Sequence, residues 1–267
     1  MALPPFTQAS FSSSDVEEDE HEEGEYKETE EYKEEYLKFI SKNPSIKLSS
    51  PSPKLLVLDL NGTLVYRKKS QRSKITRVVL RPYISEFIKY VLFSGNFLVM
   101  TWSSARPENV DLMVEEAFGD FRKHLLAVWG RDTFGMTEQE YLSKTETIKD
   151  LRKVWDKLNN NNHGNSKGYF KFDQTNTIII DDSSIKTKLQ PFNAIVVKNF
   201  DNKLSNLGND MELRNIIKYL ETLKCQSNIS SYIKSTPYNS EVIVDPDLEK
   251  EVKKAAAEMN VYIANGP

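Results

Sequence analysis

The stretch that decides the fold is Lys54-Leu55-Leu56-Val57-Leu58-Asp59-Leu60-Asn61-Gly62-Thr63-Leu64-Val65-Tyr66. Its apolar run, Leu55 to Leu58, predicts a parallel strand that is buried on both faces. The run ends at Asp59, and ligands of open α/β sheets bind at the carboxyl ends of such strands. Gly62 allows a sharp turn just beyond it. Taken alone, the Asn-Gly pair is equally typical of a β-hairpin, so the interpretation depends on the rest of the chain.

Length and composition limit the class of protein. The 267 residues are enough for one α/β domain with tails. Cys225 is the only cysteine, which excludes an intramolecular disulfide and a cysteine-based zinc site and favours a reducing compartment. No apolar run approaches the ~20 residues of a membrane span, and no presequence is recognisable. We therefore expect a nuclear or cytoplasmic protein, and a mitochondrial location is less favoured.

The charge is unevenly distributed along the chain. Residues 15–36 hold 13 Asp or Glu and two Lys, a net charge of −11, whereas the whole chain carries −3 and the remainder therefore +8. Such an acidic segment repels itself, so residues 1–52 are predicted to be a disordered acidic tail. The alternative is a short helix that forms when the tail docks, built on Tyr26, Tyr32, Tyr36, Leu37, Phe39 and Ile40. The folded domain is predicted over residues 53–224. Residues 225–267 are predicted to be a polar tail with a helix at 246–259, and both tails are candidates for binding other proteins.

Strands and helices alternate through the central domain, which predicts a parallel sheet with right-handed crossovers. Three strands end in polar pairs, and a lysine and an Arg-Pro pair each begin a predicted helix. Two carboxylate clusters near one edge would form a hard-oxygen magnesium site, and a lysine and a hydroxyl would hold phosphoryl oxygens. The strand-end pairs are Asp59 with Asn61, Thr101 with Ser103 and Asp181 with Asp182, and the predicted helix starts are Arg81-Pro82 and Lys149.

Five motifs in order carry a family resemblance: Asp59-Leu60-Asn61-Gly62-Thr63, Arg81-Pro82, Thr101, Lys149-Asp150-Leu151 and Ile178-Ile179-Ile180-Asp181-Asp182-Ser183. The set resembles the haloacid dehalogenase (HAD) superfamily of aspartate-nucleophile phosphatases. More closely, it is similar to the FCP/SCP (NIF-type) branch of RNA polymerase II carboxy-terminal-domain phosphatases. The resemblance extends from about Lys54 to Lys224. It implies a HAD-like α/β fold, a three-layer Rossmannoid parallel sheet with a small cap or none.

The resemblance also implies roles for individual residues. Asp59 would be the nucleophile that forms an aspartyl-phosphate on a phosphorylated protein or peptide, and the cofactor would be Mg²⁺. The phosphoryl-binding side chains would be Thr101 and Lys149, with Ser103 and Arg81 as further substrate contacts, and the metal would be held by Asp59, the carbonyl of Asn61, and Asp181 or Asp182.

The chain departs from the family pattern at Asn61, where the family has a second aspartate. An amide cannot shuttle a proton at neutral pH, and general acid–base help is typically worth ~10²–10⁴-fold. Two functions therefore stay open: a slow magnesium-dependent Ser/Thr phosphoprotein phosphatase, or a pseudo-enzyme that serves as a binding or scaffold module. The mitochondrial import receptor of the same branch is an example of the second. The composition does not indicate sequence-specific nucleic-acid binding.

Overall fold

The computed structural model describes residues 30–69, 76–143, 145–161, 171–207 and 210–240. The strands are β1 (Lys54–Leu58), β2 (Val65–Lys69), β3 (Thr76–Leu80), β4 (Phe97–Trp102), β5 (Val128–Trp129), β6 (Thr177–Asp181) and β7 (Ala194–Val196). The helices are α1 (Glu30–Lys42), α2 (Ile84–Phe93), α3 (Pro107–Phe118), α4 (Glu138–Leu142), α5 (Leu151–Asn161), α6 (Asn202–Leu207), α7 (Glu212–Leu223) and α8 (Ile229–Ser235).

The central sheet has five strands in the order β5-β4-β1-β6-β7, and every neighbouring pair is parallel. Strand β1 lies in the middle, as expected for the strand that ends at the predicted nucleophile. Its side chains alternate between two hydrophobic clusters: Leu56 and Leu58 belong to one, and Leu55 and Val57 to the other. The larger cluster is closed by α2, α3, α7 and α8, and the smaller one by α5. The predicted three-layer fold with a parallel sheet is confirmed.

The Asn-Gly pair forms a turn between β1 and β2 and is not the tip of a hairpin. Gly62 has a φ of +93°, and the backbone N–H groups of Leu64 and Val65 both donate to the carbonyl of Leu60. The chain then enters the antiparallel β2–β3 ribbon, which stands between β1 and α2 where a small cap is expected. The tip of this ribbon, residues 70–75, lies outside the described residues, and it includes much of the basic run in the sequence from Arg67 to Lys74.

The folded unit begins earlier than the predicted boundary at residue 53. Helix α1 packs on the domain with Tyr36 and Ile40 both 3% exposed. Beyond it, Lys47 forms an antiparallel bridge with Gln226. The helix is amphipathic, and its apolar face supplies the burial that the acidic composition alone would not suggest. This corrects the predicted tail over residues 30–52, and the remainder of the acidic tail, residues 1–29, lies outside the described residues.

The folded unit also extends past Lys224. Helix α8 contributes Ile229 and Ile233 to the larger hydrophobic cluster, so residues 225–240 belong to the domain and not to a tail. The predicted helix at 246–259 lies outside the described residues.

Helix α2 begins at Ile84, two residues after the predicted start at Pro82. The N–H of Arg81 donates to the carbonyl of Leu64, so the pairing between the two strands of the ribbon continues as far as Arg81. Tyr83 then adopts a left-handed conformation with a φ of +65°, the one non-glycine residue to do so in the described ranges. Pro82 therefore stands in the turn that leads into the helix.

Candidate active site

Asp59 lies at the carboxyl end of β1 and is almost fully buried. Its N–H donates to the carbonyl of Ile180, so the hydrogen bonds with β6 continue to the carboxyl end of the strand. Its two carboxylate oxygens have different partners: Oδ1 accepts from Lys149 Nζ at 2.8 Å, and Oδ2 accepts from Thr63 Oγ1 at 3.1 Å. The side chain is thus held in one orientation by a charge on one side and a hydroxyl on the other.

Lys149 connects two strands of the sheet. Its Nζ lies 2.6 Å from Asp181 Oδ2 as well as 2.8 Å from Asp59 Oδ1, and its side chain has no solvent exposure. The backbone N–H of Lys149 donates to the carbonyl of Lys186 at 2.7 Å. Lys149 precedes α5 by two residues and does not open it, because α5 begins at Leu151. The lysine is therefore placed by a loop, between carboxylates at the ends of β1 and β6.

A second cation completes the cluster. Lys186 Nζ lies 3.3 Å from Asp182 Oδ1 and 3.5 Å from Asp181 Oδ1. Sequence reasoning missed Lys186, although its spacing of four residues from Asp182 was an available signal for an ion pair. The contact of Thr63 with Asp59 was also missed, although Thr63 is part of the quoted first motif.

Burial and crowding shift the pKa values of the three carboxyl groups. Burial raises the pKa of Asp59, against the opposing effect of Lys149. The pKa of Asp182 is raised to about 6, chiefly by burial. Lys186 opposes this rise, and the other two carboxylates add to it. Burial also acts to raise the pKa of Asp181, but Lys149 and Lys186 hold it below the ordinary value. Two lysines therefore only partly compensate three neighbouring carboxylates.

The donor set fits a hard divalent cation. Asp59, Asp181 and Asp182 each offer an oxygen, and the three atoms lie within 4.8 Å of one another. Carboxylate oxygens are the ligands that hard cations prefer. The formal charge of the three carboxylates and two lysines is −1. A bound divalent ion would bring the net charge to +1, so the site would then attract an anion. Gly62 keeps this space open, because a Cβ there would come within 2.3 Å of Asp182 Oδ2.

Thr101 lies near the carboxyl end of β4, the strand beside β1. The register of the sheet pairs it with Leu58, the residue just before Asp59. Its Oγ1 is buried and has no hydrogen-bond partner among the described residues. An orphaned buried hydroxyl is costly, which indicates a ligand that supplies the missing partner. Ser103 is also buried, but its Oγ accepts from the N–H of Ala105 at 3.4 Å and so helps to form the turn after β4.

Asn61 stands at the edge of the site. It is exposed, and its Oδ1 accepts a hydrogen bond of 3.0 Å from the backbone N–H of Arg67. This bond fixes the side chain against the first residues of β2. The structure thus holds Asn61 in a defined orientation, with an amide where the family motif has a carboxyl group.

Known proteins are similar to this chain over most of its length. The profile of NLI interacting factor-like phosphatases (NIF) matches residues 54–230. An uncharacterized FCP1 homology domain-containing protein of the fission yeast Schizosaccharomyces pombe is 35% identical over 225 residues, which are 81% of this chain and 89% of the relative.

The chain belongs to the family of NLI interacting factor-like phosphatases (NIF).

Two more distant similarities are found. A ubiquitin-like domain-containing CTD phosphatase of Arabidopsis thaliana is 26% identical over 179 residues, which are 67% of this chain and 48% of that protein, so the match spans about half of its length. The solved structure of the fission yeast RNA polymerase II CTD phosphatase Fcp1 is 14% identical with a TM-score of 0.38, and the match covers 80% of this chain and 64% of that one.

Within the described ranges, no helix has both the length and the apolar character needed to cross a membrane.

In this NIF-family chain the side chain of Arg81 is bonded within the protein, and its predicted role as a substrate contact stays a prediction. Its side chain has no solvent exposure, and Nε donates to Asp210 Oδ2 at 2.7 Å. Its Nη atoms donate to the carbonyls of Thr63 and Lys198, each at 2.9 Å. Arg81 therefore supports the loop after β1 through its bond to the carbonyl of Thr63 and ties this loop to Asp210 and Lys198.

We expect Arg81→Met to lower the free energy of unfolding by about 3–5 kcal/mol, because it leaves the Asp210 carboxylate buried without its partner. Urea unfolding would measure the loss. Arg122→Met is the control, since Arg122 forms an exposed ion pair with Asp111 whose loss typically costs about 0–1 kcal/mol. Similar losses in both variants would contradict the structural role of Arg81.

Proposed function

We propose that this chain is a magnesium-dependent phosphatase that removes phosphate from phosphoserine or phosphothreonine in proteins, through an aspartyl-phosphate on Asp59. The observation that carries the proposal is the position of Asp59, buried at the end of the central strand, with Lys149 bridging it to Asp181. A carboxylate held in place beside a cation is suited to attack an electrophile that itself carries negative charge.

The residues divide the work of the first step. An oxygen of Asp59 forms a bond to phosphorus while the bond from phosphorus to the seryl oxygen breaks. Lys149 and the unpartnered hydroxyl of Thr101 supply hydrogen bonds to the phosphoryl oxygens. Asp59, Asp181, Asp182 and the carbonyl of Asn61 would hold Mg²⁺, which supplies charge neutralisation for the transferring group when bound.

The second step requires water to attack phosphorus and release inorganic phosphate, which restores Asp59. Both steps benefit from an acid–base group that first protonates the leaving oxygen and then accepts a proton from water. Asn61 occupies that position and cannot exchange a proton. We therefore propose a slow enzyme, in which the leaving oxygen takes its proton from solvent.

Phosphorylated protein is the substrate class that the surroundings of the site favour. Arg67 and Lys68 lie on β2, and Arg77 lies opposite Lys68 on β3. The hydrogen bond from the N–H of Arg67 to Asn61 places this basic ribbon directly beside the site. A cationic surface at the entrance attracts acidic or phosphorylated segments. A nuclear or cytoplasmic location would give access to such substrates, and it stays a prediction.

An assay with a phosphoserine peptide and an aryl phosphate, with and without Mg²⁺, tests the proposal. We expect turnover of both substrates only with the metal, and faster turnover of the aryl phosphate because its leaving group needs less protonation. Acid quenching should trap a phosphorylated chain that hydroxylamine cleaves, as acyl phosphates are cleaved. Turnover that does not depend on the metal would contradict the proposal.

Magnesium binding can be tested separately from turnover. Asp182→Ala removes one of the three clustered carboxylates, and we expect the affinity for Mg²⁺ to fall at least about tenfold. Calorimetric titration would measure it, with Asp111→Ala as the control because that carboxylate is exposed on α3 and pairs with Arg122. Equal affinities of the two variants would show that Asp182 is not a ligand.

Asn61 also favours a second candidate function, a pseudo-enzyme that binds phosphorylated segments without hydrolysing them. The remaining binding groups, Lys149 and Thr101, are in place for a phosphoryl group. A wild-type chain that binds the phosphoserine peptide in the presence of Mg²⁺ but never releases phosphate would establish this alternative.

A further inference from the structure

Helix α1 precedes the region that the NIF profile matches, residues 54–230, yet it is firmly attached to the domain. Its contacts come from one face, since Tyr32, Tyr36 and Ile40 follow one another at intervals of four residues. Tyr36 and Ile40 are buried, and Tyr32 is half-buried. The two tyrosine hydroxyls bond to the side chains of Asn193 and Gln190, which belong to one short segment.

Tyr32 contacts a buried glutamine that holds the turn after Lys149. Gln190 Nε2 donates to the hydroxyl of Tyr32 at 2.7 Å and to Asp150 Oδ1 at 2.9 Å. On the other side of its amide, Gln190 Oε1 accepts from the N–H of Leu151 at 3.0 Å. Three of the four possible hydrogen bonds of this side chain are therefore accounted for. The Asp150 carboxylate, which only accepts, and the Leu151 N–H, which only donates, set the orientation of the amide. The Tyr32 hydroxyl accepts the second amide hydrogen and so links α1 to this side chain.

The Tyr32 ring adds a second contact to the same turn. The guanidinium of Arg152 lies 3.9 Å from the ring centroid, a distance at which cation–π attraction is strong. Arg152 in turn donates to the Asp150 carboxylate through Nε at 2.8 Å and Nη2 at 2.5 Å. A closed cluster at the turn that follows Lys149 is thus formed by Tyr32, Gln190, Asp150 and Arg152.

Tyr36 supports the neighbouring segment one helical turn further on. Its hydroxyl donates to Asn193 Oδ1 at 2.9 Å and accepts from the N–H of Phe192 at 3.2 Å. Asn193 Nδ2 donates to the carbonyl of Thr177, the first residue of β6. Both tyrosines therefore bind residues 190–193. Tyr36 thereby helps to hold Gln190 within hydrogen-bond distance of Asp150.

We propose that α1 is a positioning element of the active site, and that Tyr32 is a positioning residue that sets the place of Lys149 through Gln190 and the Lys149–Leu151 turn. The consequence for turnover rests on the proposed phosphatase function. The coupling between α1 and the turn does not, because it is a property of the folded chain. Lys149 needs such support, since it lies in a loop and must bridge two buried carboxylates.

Hydrogen exchange tests the coupling directly. Tyr32→Phe in the full chain removes one hydroxyl, and we expect amides of residues 145–155 to exchange about two- to tenfold faster, as the loss of one hydrogen bond allows. The N–H of Leu151 is the most informative amide because Gln190 accepts from it. Tyr219→Phe is the matched control: Tyr219 is also half-buried, and its hydroxyl donates to the carbonyl of Thr236, outside residues 145–155 and 190–193. Equal exchange in Tyr32→Phe and wild type would overturn the proposal.

Kinetics test the consequence for the site. With an aryl phosphate and Mg²⁺, we expect Tyr32→Phe to lower kcat by about two- to tenfold with KM nearly unchanged, because Lys149 acts on charge that develops in the transition state. The affinity for orthovanadate, a phosphate mimic, should fall by a similar factor. Faster exchange with unaltered kcat and vanadate affinity would show that α1 is only structural support. A wild type that neither hydrolyses the ester nor binds orthovanadate would refute the proposed function, and hydrogen exchange alone would then decide whether α1 holds the turn.

Discussion

Asn61→Asp is expected to raise turnover of a phosphoserine peptide by about ten- to a thousandfold, because it restores a group that can donate a proton to the leaving oxygen and accept one from water. The rate for an aryl phosphate should rise less, since that leaving group departs with little protonation. Phosphate release under saturating Mg²⁺ would measure both rates. The wild type should accumulate more aspartyl-phosphate than the variant, because attacking water lacks a base in the wild type.

The structure makes this substitution conservative in geometry. The introduced carboxylate can accept the 3.0 Å hydrogen bond from the N–H of Arg67 that Asn61 Oδ1 accepts now, so one of its oxygens keeps the same place. The matched control is Asn199→Asp, which adds the same charge at another exposed asparagine beside Gly62. A gain from added charge alone would appear in both variants, whereas a proton shuttle requires the position of Asn61.

A folded, magnesium-bound Asn61→Asp variant that stays inert toward both substrates would contradict the phosphatase proposal. The site would then lack more than one catalytic group, and binding of phosphorylated segments would be the better description. Accumulated phosphorylated chain in the wild type would point the other way, because it requires a competent nucleophile.

Asp59→Asn is expected to reduce turnover of any phosphate ester by at least about a thousandfold and to abolish the trapped phosphorylated chain, since an amide is not a nucleophile toward phosphorus. The fold should survive, because the amide oxygen can still accept from Lys149, and Lys149 keeps Asp181 at 2.6 Å. Circular dichroism and urea unfolding would check this. Loss of activity can then be assigned to the chemistry.

The control for this substitution is Asp173→Asn. Asp173 is a half-buried carboxylate that accepts from the N–H and hydroxyl of Thr175 near the start of β6, at the opposite end of the sheet from the site. Asp173→Asn removes the same charge as Asp59→Asn but leaves the cluster intact. The activity of this variant should therefore match that of the wild type. Comparable turnover by Asp59→Asn and the wild type would exclude Asp59 as nucleophile.

The fold was largely predictable from local patterns. The run Leu55–Leu58 is apolar at every position because β1 is covered on both faces, and this requirement is visible in the sequence itself. The meeting of Asp59, Thr101 and Asp181 at one edge follows from parallel strand order, once the strands are recognised. The departure at Asn61 is likewise read directly from the chain.

Other features depend on contacts between distant residues. The composition of residues 30–42 indicates a solvated segment, and only the domain surface that covers Tyr36 and Ile40 makes them a helix of the fold. The sequence neighbours of Arg81 do not reveal that its partner is a buried carboxylate. That carboxylate belongs to Asp210, which is 129 residues away in the chain.

The sequence by itself determined the parallel sheet, the strand ends that carry polar groups and the residue types available there, because periodicity and strand termini are local properties. Tertiary structure alone decided the ion pairs of Lys149 and Lys186, the unpartnered hydroxyl of Thr101 and the contact of Tyr32 with Gln190. Each of these depends on side chains from separate elements meeting at hydrogen-bond distance. No spacing along the chain specifies such distances, because packing of the whole domain sets them.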